Sequence, residues 1–116
     1  MICSPGFVVY CRYPFSDIER SKKRPAVVVS REDYQLRYGD VIAIPLTTKE
    51  QPPDCYALKH WAEVGLPKRT WVKPILATLF RERIVSELGE LSEVDYAEVL
   101  SMALSLIDSP ERVPSS

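Results

Sequence analysis

Ser21-Lys22-Lys23-Arg24-Pro25-Ala26-Val27-Val28-Val29-Ser30 passes from polar and cationic residues straight into an aliphatic run. Pro25 biases Arg24 to an extended backbone, and Ala26 to Val29 is apolar at consecutive positions. The run is therefore expected as a central strand buried on both faces. Upstream, Phe7-Val8-Val9-Tyr10-Cys11 follows Pro5-Gly6 and is rich in β-branched and aromatic residues, which reads as another strand. Tyr13-Pro14-Phe15 ends it, and Ser16 to Lys23 is a polar loop. Downstream, Arg31 to Gly39 reads as an irregular excursion, and Asp40 leads into the buried strand Val41-Ile42-Ala43-Ile44. Pro45 has no N–H for a ladder, so that strand is expected to end, bulge or lie at an edge there. Gln51-Pro52-Pro53-Asp54 is a turn, and a short strand is expected near Tyr56-Ala57-Leu58. Trp71-Val72-Lys73 and Leu76-Ala77-Thr78-Leu79 read as one further strand kinked at Pro74.

The period changes near residue 91. Ser92-x-x-Asp95 has the form of a capping box, and Leu91 with Tyr96 has the spacing of a hydrophobic staple. Tyr96, Val99, Leu100, Ala103 and Ile107 then recur at helical spacing and are expected to form one apolar face. Glu93, Asp95 and Glu98 suit the positive end of the helix dipole. About five short strands followed by one amphipathic helix predict a mainly β fold with a C-terminal α-helix, a small, partly open barrel closed off by that helix. The chain of 116 residues is expected to form a single domain, with a core over about 5–107 and a frayed tail at 108–116.

Composition narrows the function classes. Apolar residues make up 46% and charged residues 27%, which excludes wholesale disorder. The longest aliphatic run spans four residues, Ala26 to Val29, against the roughly 18 a membrane span needs. The N-terminus lacks a basic region and an apolar stretch, so no secretory signal is expected and the cytoplasm is the expected location. Cys3, Cys11 and Cys55 with the sole histidine, His60, form no zinc or disulfide pattern, and no metal or cofactor is expected. The net charge of −1 hides an asymmetry. Residues 1–81 hold 13 Lys/Arg and 8 Asp/Glu, a balance of +5, whereas residues 82–116 hold 2 and 8, a balance of −6.

A lone histidine excludes a His pair for acid–base catalysis, and the four glycines have no phosphate-loop spacing. His60 itself is expected in an ordinary surface role. Two groups remain. A guanidinium at the mouth of a buried strand, Arg24, can grip a phosphate through two N–H donors, although a solvated turn has the same composition. Thr47-Thr48, just after Val41 to Leu46, would bring hydroxyls out at a strand end.

Taken in order, the Lys22-Lys23-Arg24-Pro25-Ala26-Val27-Val28-Val29-Ser30 block, Pro45-Leu46-Thr47-Thr48, Gly65 to Pro74, Leu76-Ala77-Thr78-Leu79 and Leu88-Gly89-Glu90-Leu91-Ser92 resemble the PemK/MazF-like toxin family. Its members are growth-inhibiting ribonucleases of type II toxin–antitoxin pairs, and the resemblance runs from about Pro5 to Ile107. It implies an SH3-like small β-barrel, a symmetric homodimer, and metal-independent endoribonuclease cleavage of single-stranded RNA. It implies Arg24 and Thr47 as catalytic residues. Lys22, Lys23, Thr48 and Lys73 would contact RNA, with Phe15 or Trp71 as stacking surfaces. A cognate antitoxin with an acidic disordered tail would be the protein partner. The stretch Val72 to Thr78 has no acidic residue, and Phe80 stands where relatives carry an acid. An alternative is a non-catalytic protein of the same fold that acts by binding a protein target such as gyrase or an antitoxin.

Overall fold

A computed structural model of the chain describes residues 2–12 and 23–108. Lys22 and Phe15, the polar loop from Ser16 to Lys22 and the end of the expected tail lie outside the described residues. The elements are β1 (Phe7–Cys11), β2 (Arg24–Val28), α1 (Glu32–Tyr38), β3 (Asp40–Thr47), a short α2 (Trp61–Val64), β4 (Trp71–Val72), β5 (Ala77–Phe80), a 3-10 turn (Arg81–Arg83), β6 (Ile84–Glu90) and α3 (Glu93–Ser105). The strands form one antiparallel sheet in the order β4-β3-β2-β1-β6, with β5 also paired to β3. Among the described residues no ladder closes this path, so the sheet is a curved, open relative of the expected barrel.

Both faces of the inner strands are buried. Val8, Val27, Ile44, Leu46 and Val72 form one core with Val99 and Ala103 of α3 and with Leu58, Val64 and Leu66. Cys11, Ala26, Ala43, Ala77 and Leu79 form a second, and Cys3, Val9, Val28, Val41 and Ile84 a third. Alternation places the first set on one face and the others on the opposite face. This two-sided burial is why Ala26 to Val28 reads as an unbroken apolar run. At roughly 25 cal/mol per Å² of apolar area, these side chains dominate the folding free energy.

Several expected elements differ. Arg31 to Gly39 contains a helix, α1, whose only buried residue is polar. Gln35 is fully buried. Its Nε2 donates to the Cys3 and Ser30 carbonyls at 2.6 and 3.1 Å, and its Oε1 accepts from the Cys3 amide at 3.0 Å. A helix anchored by an amide leaves no apolar period to read. Gly39 ends it at φ 74°, with its N–H on the Gln35 carbonyl.

Pro45 does not end β3. It stands opposite Ala26 on β2, while its carbonyl accepts from the Lys73 amide at 2.9 Å on the other edge. A strand residue turns its N and carbonyl to the same side. The missing N–H therefore faces the gap where β3 changes partner, from β5 at Asp40 to Ala43 to β4 at Leu46 and Thr47. The expected single strand kinked at Pro74 is consequently two strands, β4 and β5. The short strand near Ala57 is a lone bridge to Trp71.

β6 and α2 are additional elements. The β1–β6 ladder shifts register between Val8 and Val9, and Gly89 lies beside α2. A Cβ on Gly89 would meet the Val64 carbonyl oxygen at 2.8 Å, so only glycine fits this approach.

On α3, Val99 and Ala103 are buried and Tyr96 packs against the core, as expected. Leu100 and Ile107 are exposed, the latter by 69%, so the apolar face is narrower than the periodicity suggests. Asp95 completes the buried face instead. Ser92 accepts the Asp95 amide at 3.2 Å, the first half of the capping box. The second half is absent, because the Asp95 carboxylate serves a different set of donors.

Candidate functional site

The ends of β2, β3 and β4 meet on one rim of the sheet. Cys11 on β1 stands opposite Arg24 on β2, and Thr47 on β3 stands opposite Trp71 on β4. β2 and β3 pair Ala26 with Pro45. That ladder ends at Ala26 and Pro45, two residues short of Arg24 and Thr47, which stand at the adjoining ends of the two strands. Residues two apart on a strand share a face, so Arg24 follows Ala26 and Thr47 follows Pro45 onto one face of the sheet, with Cys11 and Trp71 as their respective partners. The two sequence-predicted catalytic residues thus come to the same rim and the same face, although 23 positions separate them in sequence.

Each of these residues has a definite local environment. Cys11 is buried, and its Sγ lies 3.6 Å from the Arg24 carbonyl, which ties the mouth of β2 to β1. The guanidinium of Arg24 is exposed and has no hydrogen bond or ion pair among the described residues. Lys23 beside it is likewise exposed. Thr47 is half-buried at the last position of β3, and its Oγ1 accepts from the Lys49 amide at 3.1 Å. That bond fixes the side chain through a lone pair and leaves the hydroxyl hydrogen available to a phosphate oxygen.

Thr48 is exposed on the bend that follows. Lys73 is half-buried next to β4, with its amide on Pro45. Trp71 is engaged on one side by the Arg69 guanidinium, 4.8 Å from the ring centroid. Arg69 went unread in the sequence, where the signal was its place in Lys68-Arg69-Thr70-Trp71. The structure brings Arg24, Thr47 and Trp71 to one rim of the sheet, with Lys23 and Thr48 as chain neighbours of Arg24 and Thr47. Among the described residues no group of three or more His, Cys, Asp or Glu side chains could hold a metal ion.

A second polar cluster lies at the start of α3. The Asp95 carboxylate is fully buried, and Oδ1 accepts from the Tyr56 hydroxyl at 2.6 Å and the Lys59 amide at 2.9 Å. Oδ2 accepts from the His60 amide at 2.8 Å. Burial pushes the Asp95 carboxyl upward, but these donors together with His60 outweigh it and hold the carboxyl below the usual carboxylate range. Burial and the same Asp95 carboxylate push the Tyr56 phenol above its ordinary value. The His60 ring lies 2.8 Å from Ser92 Oγ. His60 thus sits in a clasp joining the 56–60 segment to α3, a structural role rather than the surface role expected.

This geometry defines a small open-sheet protein with an exposed guanidinium, a fixed hydroxyl and an aromatic side chain at one rim. The chain belongs to the PemK-like, MazF-like toxins of type II toxin–antitoxin systems, whose family model matches residues 4–107. Among solved structures it is similar to MazF from Deinococcus radiodurans, at 25% identity over 92% of this chain and 97% of that one, with a TM-score of 0.73. A MazE–MazF structure from the same organism matches at 24% identity over 92% and 97%, with a TM-score of 0.74. An endoribonuclease in complex with its cognate antitoxin, from a mycobacterial species, matches at 20% identity over 96% and 98%, with a TM-score of 0.72. No curated protein sequence matches. Among the described residues no helix is long and apolar enough to cross a membrane.

Proposed function

We propose that this toxin is an endoribonuclease that cuts single-stranded RNA by attack of a ribose 2′-hydroxyl on the adjacent phosphorus. The O2′–P bond forms, the P–O5′ bond breaks, and the proton lost from O2′ is matched by one gained at O5′. The observation that supports the reading is that Arg24 and Thr47 stand at adjoining ends of paired strands, on one face of the sheet. The Arg24 guanidinium would hold two phosphate oxygens as negative charge grows on them, and the Thr47 hydroxyl would donate to one of them. Neither group needs a metal. Lys23, Thr48 and Lys73 would bind flanking phosphates, and the free side of Trp71 would offer a stacking surface.

The reading extends to partners. A cognate antitoxin would place an acidic, disordered tail over Arg24, where the exposed Lys23 and Arg24 side chains have no partner among the described residues. A cleft of about 560 Å³ between residues 53–57 and α3 suits such a tail less well, because Asp54 and Glu98 line it. Exposed Leu104 and Ile107 near the end of α3 support a homodimer that covers them. The cytoplasm supplies both RNA and antitoxin.

The test is incubation of purified protein with a long single-stranded RNA in excess EDTA, beside Thr47→Val. Discrete fragments from the parental protein, reduced by Thr47→Val at unchanged fold, are expected. Intact RNA with the folded parental protein would overturn the reading and leave binding of a protein target as the alternative.

A further inference from the structure

The corner where β5 ends plays no part in the site described above. Phe80 closes β5 opposite Asp40, and its ring is 66% exposed. Phe80 and Asp40 line a pocket of about 170 Å³ together with Thr78, Leu79 and Arg83. Arg83 belongs to the 3-10 turn that carries the chain from β5 to β6. Neither the Asp40 carboxylate nor the Arg83 guanidinium makes a side-chain hydrogen bond or ion pair among the described residues. A single small pocket thus offers an aromatic wall, two acceptor oxygens and a cation, all uncommitted.

These three groups complement one kind of ligand. An exposed phenyl ring stacks on a nucleobase of any kind. A carboxylate presents two acceptors, which the adjacent N1–H and N2–H₂ donors of guanine match as a pair. Adenine and cytosine present an amino group beside an acceptor, and uracil a single N–H between two acceptors. A guanidinium beside the base binds the phosphate of the same or the next nucleotide.

The position also fits. β3 runs from Asp40 to Thr47, so the pocket lies at most roughly 23 Å from the Thr47 end at about 3.3 Å per residue. A few extended nucleotides cover that distance. Arg12 and Arg24 lie between the corner and the rim, because the Arg12 amide donates to the Arg83 carbonyl at 3.0 Å and Cys11, next to Arg12, stands opposite both Ile84 and Arg24.

We propose that the Phe80–Asp40–Arg83 corner is a base-selecting subsite that holds a guanine of the RNA substrate, several nucleotides from the bond that is cut. This rests on the RNA-cleaving reading above. Two measurements test it. In the first, the ¹⁵N-labelled parental protein is titrated with GMP, AMP, CMP and UMP. GMP should move the Asp40, Thr78, Phe80 and Arg83 amide resonances at lower concentration than the other three. In the second, the bases around the cut in a random RNA pool are sequenced for the parental protein, Phe80→Ala and Asp40→Asn. Phe80→Ala should raise KM about tenfold with kcat little changed, in line with loss of one stacked base. Asp40→Asn should erase a guanine preference at one position. A corner unmoved by every monophosphate, or two variants with the parental KM and base profile, would overturn the proposal and leave Phe80 as a protein contact. A parental protein that binds GMP at the corner but cuts no RNA would instead defeat the catalytic reading while the pocket stood.

Discussion

Two polar regions of this molecule are built in opposite ways. At the start of α3, Asp95 is fully buried and takes three donors on two oxygens. At the rim, the Arg24 guanidinium is exposed and donates to no acceptor among the described residues. A buried charge with both oxygens engaged holds a loop to a helix and is costly to disturb. An exposed cation without a partner adds little to stability and remains available to a ligand. The contrast separates residues that maintain the fold from residues proposed to act.

Substitutions should divide along that line. Arg24→Ala should have the largest effect, a loss on the order of 10²–10³-fold in RNA cleavage under single-turnover conditions, like removal of other oxyanion donors. Its urea midpoint should equal that of the parent. Asp95→Ala should do the reverse, costing about 3 kcal/mol in urea unfolding because Tyr56, Lys59 and His60 lose a buried acceptor. Cleavage by the fraction that remains folded should stay near the parental rate. Gly89→Ala should cost about 2 kcal/mol, since its Cβ would press on the Val64 carbonyl and backbone would have to move. Smallest of all, Lys73→Ala should reduce the salt dependence of RNA binding by about 0.7 in log–log slope, the share of one phosphate contact to a single strand.

Acid offers a further way to sharpen the comparison. The Asp95 carboxyl titrates lower in the folded chain than in the unfolded one. Its contribution is therefore fully present above the unfolded value of about 3.9 and is lost as pH falls through the folded value. Urea midpoints measured from pH 6 downward should show this loss in the parent and not in Asp95→Asn. Tyr56 has the opposite sign. Its raised folded value gives stability that is present below about pH 10 and lost as pH rises through that value.

The central strands were legible because burial on both faces leaves an apolar run that no solvent-facing residue interrupts, as in Ala26 to Val28. The common rim of Arg24 and Thr47 was readable only through the resemblance. Composition alone shows a basic turn and two threonines, and cross-strand register is a property of the fold. α1 was invisible because Gln35, a polar side chain, is what anchors it. β6 was hidden by Gly89 and by the register shift, which break the alternation of Ile84 to Glu90. Asp95 looked like a cap, since a sequence cannot show that Tyr56 and the 59–60 amides fold back onto it. The Phe80 corner needed the 3-10 turn to bring Arg83 beside Asp40.

The central claim is that the rim acts through the shape and charge of one guanidinium while the fold rests elsewhere. Arg24→Lys tests it most directly, because it keeps the charge and removes the planar, two-donor contact. The measurement is the single-turnover cleavage rate of one fixed RNA, in EDTA, with the urea midpoint taken on the same sample. The account expects a rate within about tenfold of Arg24→Ala and a midpoint equal to the parent's. A lysine variant that cuts RNA at the parental rate would contradict it, and so would one whose rate falls only because the protein unfolds.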